Sequence, residues 1–207
     1  MGLISDGTTI FDAGAMASGF GGSMTFIKKL TASSSGTLSF VNGASNVVLD
    51  GTYKEYLFTF NNIHPATGGT LFHWNMSIDG GTNYNVQKTT TTFRPFHYET
   101  ASDTPEWAYA TDQDLANGTG FQTLVQGLGN ANDENSSGTL QLFNPSSTTF
   151  VKHFMSSVNM QHTSSAPASV NWNAAGYGNT TSAVNAVQFK MASGNIDAGD
   201  ICLYGIA

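Results

Sequence analysis

The chain has 207 residues, of which 40% are hydrophobic and 12% aromatic, enough for one sizeable all-β domain or two small ones and too apolar for disorder. Charged residues make up 10%, against roughly 25% in ordinary soluble domains, so Ser, Thr, Asn and Gly must cover the surface. The net charge is −7 and the only adjacent basic pair is Lys28-Lys29, which excludes nucleic acid and an anionic membrane surface as partners, since both need clustered cations.

The opening MGLISDGTTI has neither the basic nor the apolar region of a signal peptide, and Asp6 breaks the myristoylation pattern. No apolar run approaches the ~18 residues of a membrane span, so a product made in the cytoplasm, without membrane insertion, is expected. Residues 1–23 read as a Gly-rich N-terminal arm, with GAMASGFGGSM (13–23) irregular. Such an arm frays in a monomer and lies on a neighbour in an assembly. From residue 24 to 207 the text is a single domain of short strands between turn signals.

GTLSFV (36–41) alternates Leu38 and Phe40 against Thr37 and Ser39. GTYKEYLFTFNNIHP (51–65) is apolar on both faces, with Tyr56, Phe58 and Phe60 on one and Tyr53, Leu57 and Ile63 on the other. Either both faces are buried in one domain or one is kept for a partner. LFHWNMSI (71–78) places Phe72, Trp74, Met76 and Ile78 on one face, and Asp79-Gly80-Gly81 supplies a tight turn that tolerates positive φ. The stretch 95–135 is less regular, and long loops with one or two strands, FQTLVQ (121–126) among them, are expected. GTLQLF (138–143), TFVKHFMSSV (149–158), AVNAVQFKM (183–191) and DICLYGI (200–206) follow, the last with Ile201 and Leu203 opposite Cys202, Tyr204 and Ile206. No segment sustains a helical period. The pattern predicts an all-β, antiparallel β-sandwich, jelly-roll-like.

An internal echo bears on how the sandwich is built. SSGTLSFVN (34–42) and SSGTLQLFN (136–144) agree at six of nine positions, and each precedes an aromatic strand with a Lys near its start. Two related halves would account for it.

Candidate chemistry is sparse. Cys202 is alone, so no intrachain disulfide forms; a small buried hydrophobe is the expected role. His64, His73, His97, His153 and His162 have no zinc-ligand spacing. Asp112, Asp114, Asp133 and Glu134 lie in loops whose oxygens suit a structural Ca²⁺, yet the EF-hand order fails because Ala116 stands where Asp or Asn is needed. Glu99, Asp103, Glu106, Asp112 and Asp114 cluster as a glycosidase pair would, though without specific spacing. No nucleophile, phosphate or dinucleotide motif is present. The reading is therefore no catalytic residues, no metal ligands and no cofactor. A possible ligand surface gathers Phe93, Arg94, Tyr98, Trp107 and Tyr109, rings on which a lectin-like site stacks sugars; packing of a loop on the sandwich is the alternative.

MGLISDGTTIFDAGAM, SGTLSFVNGASNVVLDGTYKEYLFTFNNIHPAT, SIDGGTNYNV, LFNPSSTTFVKHF and GYGNTTSAVNAVQFKMASGNIDAGDICLYGI resemble virion structural proteins of marine tailed bacteriophages, cyanophages in particular. The resemblance covers most of the chain outside 86–135. It implies a non-enzymatic component exposed on the particle, as capsid decoration or as part of a tail fibre or appendage. It also implies synthesis in the cytoplasm of the infected bacterium, localisation in the virion, and other capsid or tail proteins as partners. Homo-oligomerisation is expected, with a trimer as the first arrangement to test. The alternatives are a receptor- or glycan-binding adhesion module on a host surface glycan, and a polysaccharide hydrolase.

Overall fold

The structure is a computed structural model, and it describes residues 3–5, 8–12, 15–16, 23–100, 104–162 and 167–207. Strands β1 (Leu3–Ser5), β2 (Thr8–Asp12) and β3 (Ala15–Met16) form a small antiparallel sheet of their own. The arm expected over 1–23 thus carries short strands, while most of its Gly-rich part lies outside the described residues.

Twelve strands follow: β4 (Met24–Thr31), β5 (Leu38–Val41), β6 (Glu55–Pro65), β7 (Thr70–Ser77), β8 (Lys88–Tyr98), β9 (Glu106–Tyr109), β10 (Gln122–Leu128), β11 (Ser136–Phe143), β12 (Lys152–His162), β13 (Ala168–Gly178), β14 (Ala186–Met191) and β15 (Ile196–Ile206). All paired neighbours run antiparallel. One layer has the order β4-β15-β6-β11-β12-β13-β8-β9, and the other β10-β7-β14-β5. The layers join at Leu128↔His162, just beyond the start of β11, and meet again where Ser35 bridges Ile196. The chain is an all-β sandwich, nearly closed, as its alternating pattern predicts.

Alternation decides what lies between the layers. Tyr56, Phe58 and Phe60 of β6 and Phe154 of β12 face Phe40, Phe72, Trp74 and Phe189 of the smaller sheet, and all are buried. Phe189 meets Phe40, Phe58, Phe60 and Phe72 at centroid distances of 5.3–6.2 Å, mostly edge to face, the arrangement ring quadrupoles favour. Trp74 meets Phe154 at 4.8 Å.

A bulge explains one apparent break in parity. Asn62 sits at φ 52°, and the register slips between Ser136↔Ile63 and Gly138↔Phe60. Two residues on β6 thus oppose one on β11, and Ile63 turns into the core beside Phe60 although its number is odd. Gly80 (φ 72°) and Gly81 (φ 85°) form the expected turn after β7, closed by the Asp79 carboxylate, which accepts from Ser77 and Asn83.

The internal echo does not become a two-fold repeat. β5 lies in the smaller sheet and passes to β6 in the larger, whereas the matching β11 and β12 pair directly within the larger sheet. The shared Ser-Gly-Thr text serves two different connections.

Candidate functional site

The larger sheet has twice the strands of the smaller, so its outer face is broad. β9 forms its edge, with Phe93↔Tyr109 and Pro95↔Trp107 opposite one another. Phe93, Trp107 and Tyr109 therefore share the outer face. The Phe93 and Trp107 rings lie 5.8 Å apart, tilted by 34°, and Trp107 is 64% exposed. The Tyr109 hydroxyl donates to Asp114 at 2.7 Å, which fixes the ring and pushes its pKa up.

The other two residues of the expected ligand surface point the opposite way. Arg94 and Tyr98 lie on the inner side of β8, where the Arg94 guanidinium stacks 4.8 Å from the Trp172 ring. Tyr98 packs edge to face on Phe96 at 5.5 Å and against the core. Thus three of the five residues make one exposed aromatic ledge and two support it from beneath.

The acids expected near this region take separate neutral donors. Glu99 accepts from Gln161, Asp112 from Gln113 and Gln126, and Asp114 from Tyr109. Glu106 opposes Phe96 on the inner side of β9, and Asp103 lies outside the described residues. Among the described residues no three His, Cys, Asp or Glu side chains gather to hold a metal. The histidines are dispersed likewise: His64 lies 3.6 Å from Asp197, and His153 lies beside Tyr177.

His73 is held neutral. Burial, with Lys190 nearby, pulls its pKa down to about 4. The unfolded chain takes a proton below about pH 6.5 that the native imidazole refuses, so stability falls as pH drops from 6.5 to 4. The loss is expected to reach about 3 kcal/mol. A His73→Gln variant should retain more stability in urea titrations at pH 4.5 than the parent, once both are referenced to pH 7.

Two lysines were legible as residues but not as buried ones. Lys88 and Lys152 flank Gly178 across three neighbouring strands, and both are fully buried, without a carboxylate partner among the described residues. Lys88 donates to Asn75 Oδ1 at 2.5 Å and to the Val86 carbonyl at 2.8 Å; Lys152 donates to the carbonyls of Phe150 and Thr180. Burial pulls Lys88 down to about 7 and lowers Lys152 as well. An amine of that kind is a nucleophile where a substrate can reach it. Lys88 is sealed from solvent, so its place is that of an internal strut.

The centre of the outer face is apolar. A shallow depression of about 470 Å³ is lined by the small Ala175 and Gly176 among the larger Phe143, Met155, Tyr177 and Thr91. Met155 beside it is 57% exposed. No family model, no curated protein and no solved structure matches this chain.

Proposed function

We propose that the chain is a non-enzymatic structural component of a bacteriophage virion, exposed on the particle as capsid decoration or as part of a tail fibre or appendage. The observation that carries this reading is the outer face of the larger sheet. It is broad, poor in charge and studded with Phe26, Met155 and Trp107 in the open, a surface that suits a subunit packed among neighbours. The phage resemblance of the sequence supplies the particle. Antibody raised against the recombinant chain is expected to decorate purified virions in electron micrographs. Label confined to the soluble lysate, with clean particles, overturns the reading.

A glycan-binding role on a host surface is a second reading, favoured by the tilted, solvent-open Phe93–Trp107 pair with the tethered Tyr109 beside it. Sugar rings stack their apolar faces on such ledges. Trp107→Ala is expected to abolish retention on host envelope polysaccharide, at least tenfold, with unchanged thermal unfolding. Equal retention of parent and variant removes this role.

A further inference from the structure

The pairing registers lay the outer face out as rows. One row runs Phe26–Tyr204–Leu57–Gln141–Met155–Ala175 across β4, β15, β6, β11, β12 and β13. Residues paired directly opposite share a face, and Met155 and Phe26, each 57% exposed, fix that face as the outer one. At one end Phe26 projects, its ring edge-on to Tyr204 at 5.6 Å. At the other end lies the depression around Ala175 and Gly176. Five strand spacings of ~4.8 Å separate the projection from the depression, about 24 Å.

We infer that this face is a two-fold interface between copies of the chain, in which Phe26 of each copy seats in the depression of the other. A two-fold axis lying in the interface, parallel to the strands and midway between β6 and β11, exchanges the first strand of the row with the sixth. It sets Phe26 against Ala175, Tyr204 against Met155 and Leu57 against Gln141. Knob meets hole at both ends, as an isologous contact requires, and the central pairs are aromatic with thioether and aliphatic with amide.

The neighbouring row behaves the same way. Met24 is 52% exposed, and Met24, Ile206 and Glu55 lie in register across β4, β15 and β6, with Phe143 paired to Glu55 and Tyr177 to His153. The same rotation brings Met24 against Tyr177, Ile206 against His153 and Glu55 against Phe143. The carboxylate of Glu55 already accepts from Gln141 at 2.6 Å. No two like charges in these rows meet, so the contact carries none of the repulsion that would exclude a second copy.

A third row, Lys29–Cys202–Thr59–Thr139–Ser157–Asn173, lies on the other side of the first and sets Lys29 against Asn173. The three rows by six strands cover about 24 Å by about 20 Å, or roughly 1,000 Å² summed over two copies, the size at which specific association begins. Beyond Thr89 and Thr91 of β8, which line the far wall of the depression, the contact stops. Phe93, Trp107 and Tyr109 on β8 and β9 overhang it and stay open, so a dimer presents two aromatic ledges on opposite wings.

This inference rests on the reading of the face as a contact surface, but not on the identity of the particle: virion labelling can succeed where self-association fails, and the reverse. The test is light scattering of the purified full chain at micromolar concentration, expected to give the mass of two 21.9 kDa chains. Phe26→Asp and Met155→Asp should each weaken association at least tenfold with unchanged thermal unfolding, since both sites are exposed. Trp107→Asp on the wing should leave the mass unchanged. Mixing a Phe26→Cys chain with an Ala175→Cys chain should give a disulfide-linked pair on mild oxidation, in greater yield than either chain alone. A monomer, a trimer, or a dimer that survives both aspartates and forms no mixed disulfide overturns the proposal.

Discussion

Phe189→Ala is expected to lower the unfolding free energy by about 3–5 kcal/mol, measured by urea denaturation with an unchanged slope. Phe189 is fully buried, and it is the one ring of β14, wedged against four phenylalanines, Phe40 and Phe72 from the flanking strands β5 and β7 and Phe58 and Phe60 from β6 of the other layer. Truncation removes the transfer energy of a whole ring and leaves a void between sheets that cannot close, because both sheets are pinned at Leu128↔His162 and Ser35↔Ile196. A loss below about 1 kcal/mol would mean that the layers collapse on the gap, and that the sandwich is looser than its ring contacts imply.

Raising the pH from 7 to 9 is expected to stabilise the protein by about 2 kcal/mol through Lys88. Its native pKa of about 7 lies far below the ordinary lysine value of 10.5, because burial disfavours the ammonium. Between those two values the unfolded chain binds a proton that the native chain lacks, so stability rises with pH across that window. Below pH 7 both states are protonated and the full desolvation cost remains. Above 10.5 both are neutral and it is gone. Lys152 shifts in the same direction and adds to the slope. Lys88→Met should flatten much of this rise, since Asn75 Oδ1 keeps the Met76 N–H at 2.8 Å as a donor. An equal slope in parent and variant would show that Lys88 is charged throughout and solvated by water inside the sandwich.

What could be read from the sequence follows from how strongly each strand alternates. In β7 and β15 the large apolar residues fall inward as predicted, Phe72, Trp74 and Met76 in one and Ile201 and Leu203 in the other, with Tyr204 outward. Ile78, however, lies beyond the end of β7 and is exposed, and Asn75, Ser77 and Cys202 are buried on the opposite faces. β8 carries no strand signal in the sequence because its buried face is Lys88, Thr90 and Thr92, a polar set satisfied by Asn75, Leu115 and Gln122 rather than by apolar packing. β13 buries Ala168, Val170, Trp172 and Ala174, and one large ring between small side chains gives a weak periodic signal. Proximity along the chain groups the residues of the ligand surface, yet strand parity alone places Phe93 on one side and Arg94 and Tyr98 on the other. The apolar row from Phe26 to Ala175 draws on six strands, and only the pairing register brings them together.

The question posed by GTYKEYLFTF is answered by position. The even-numbered rings of β6 fill the sandwich, and Leu57 on the reverse side occupies the middle of the exposed row.

β15 lies between β4 and β6, joined to partners far from it in the chain; the Lys29–Asp200 pair at its flank spans 171 positions. Closing loops of that size costs entropy before any contact is gained, so contact order places this chain among slow folders, with rates on the millisecond-to-second scale. Among the described residues β4 pairs with the sheet only through β15. Refolding followed by pulsed hydrogen exchange should therefore find its amides protected last, after the β11–β12 hairpin has formed.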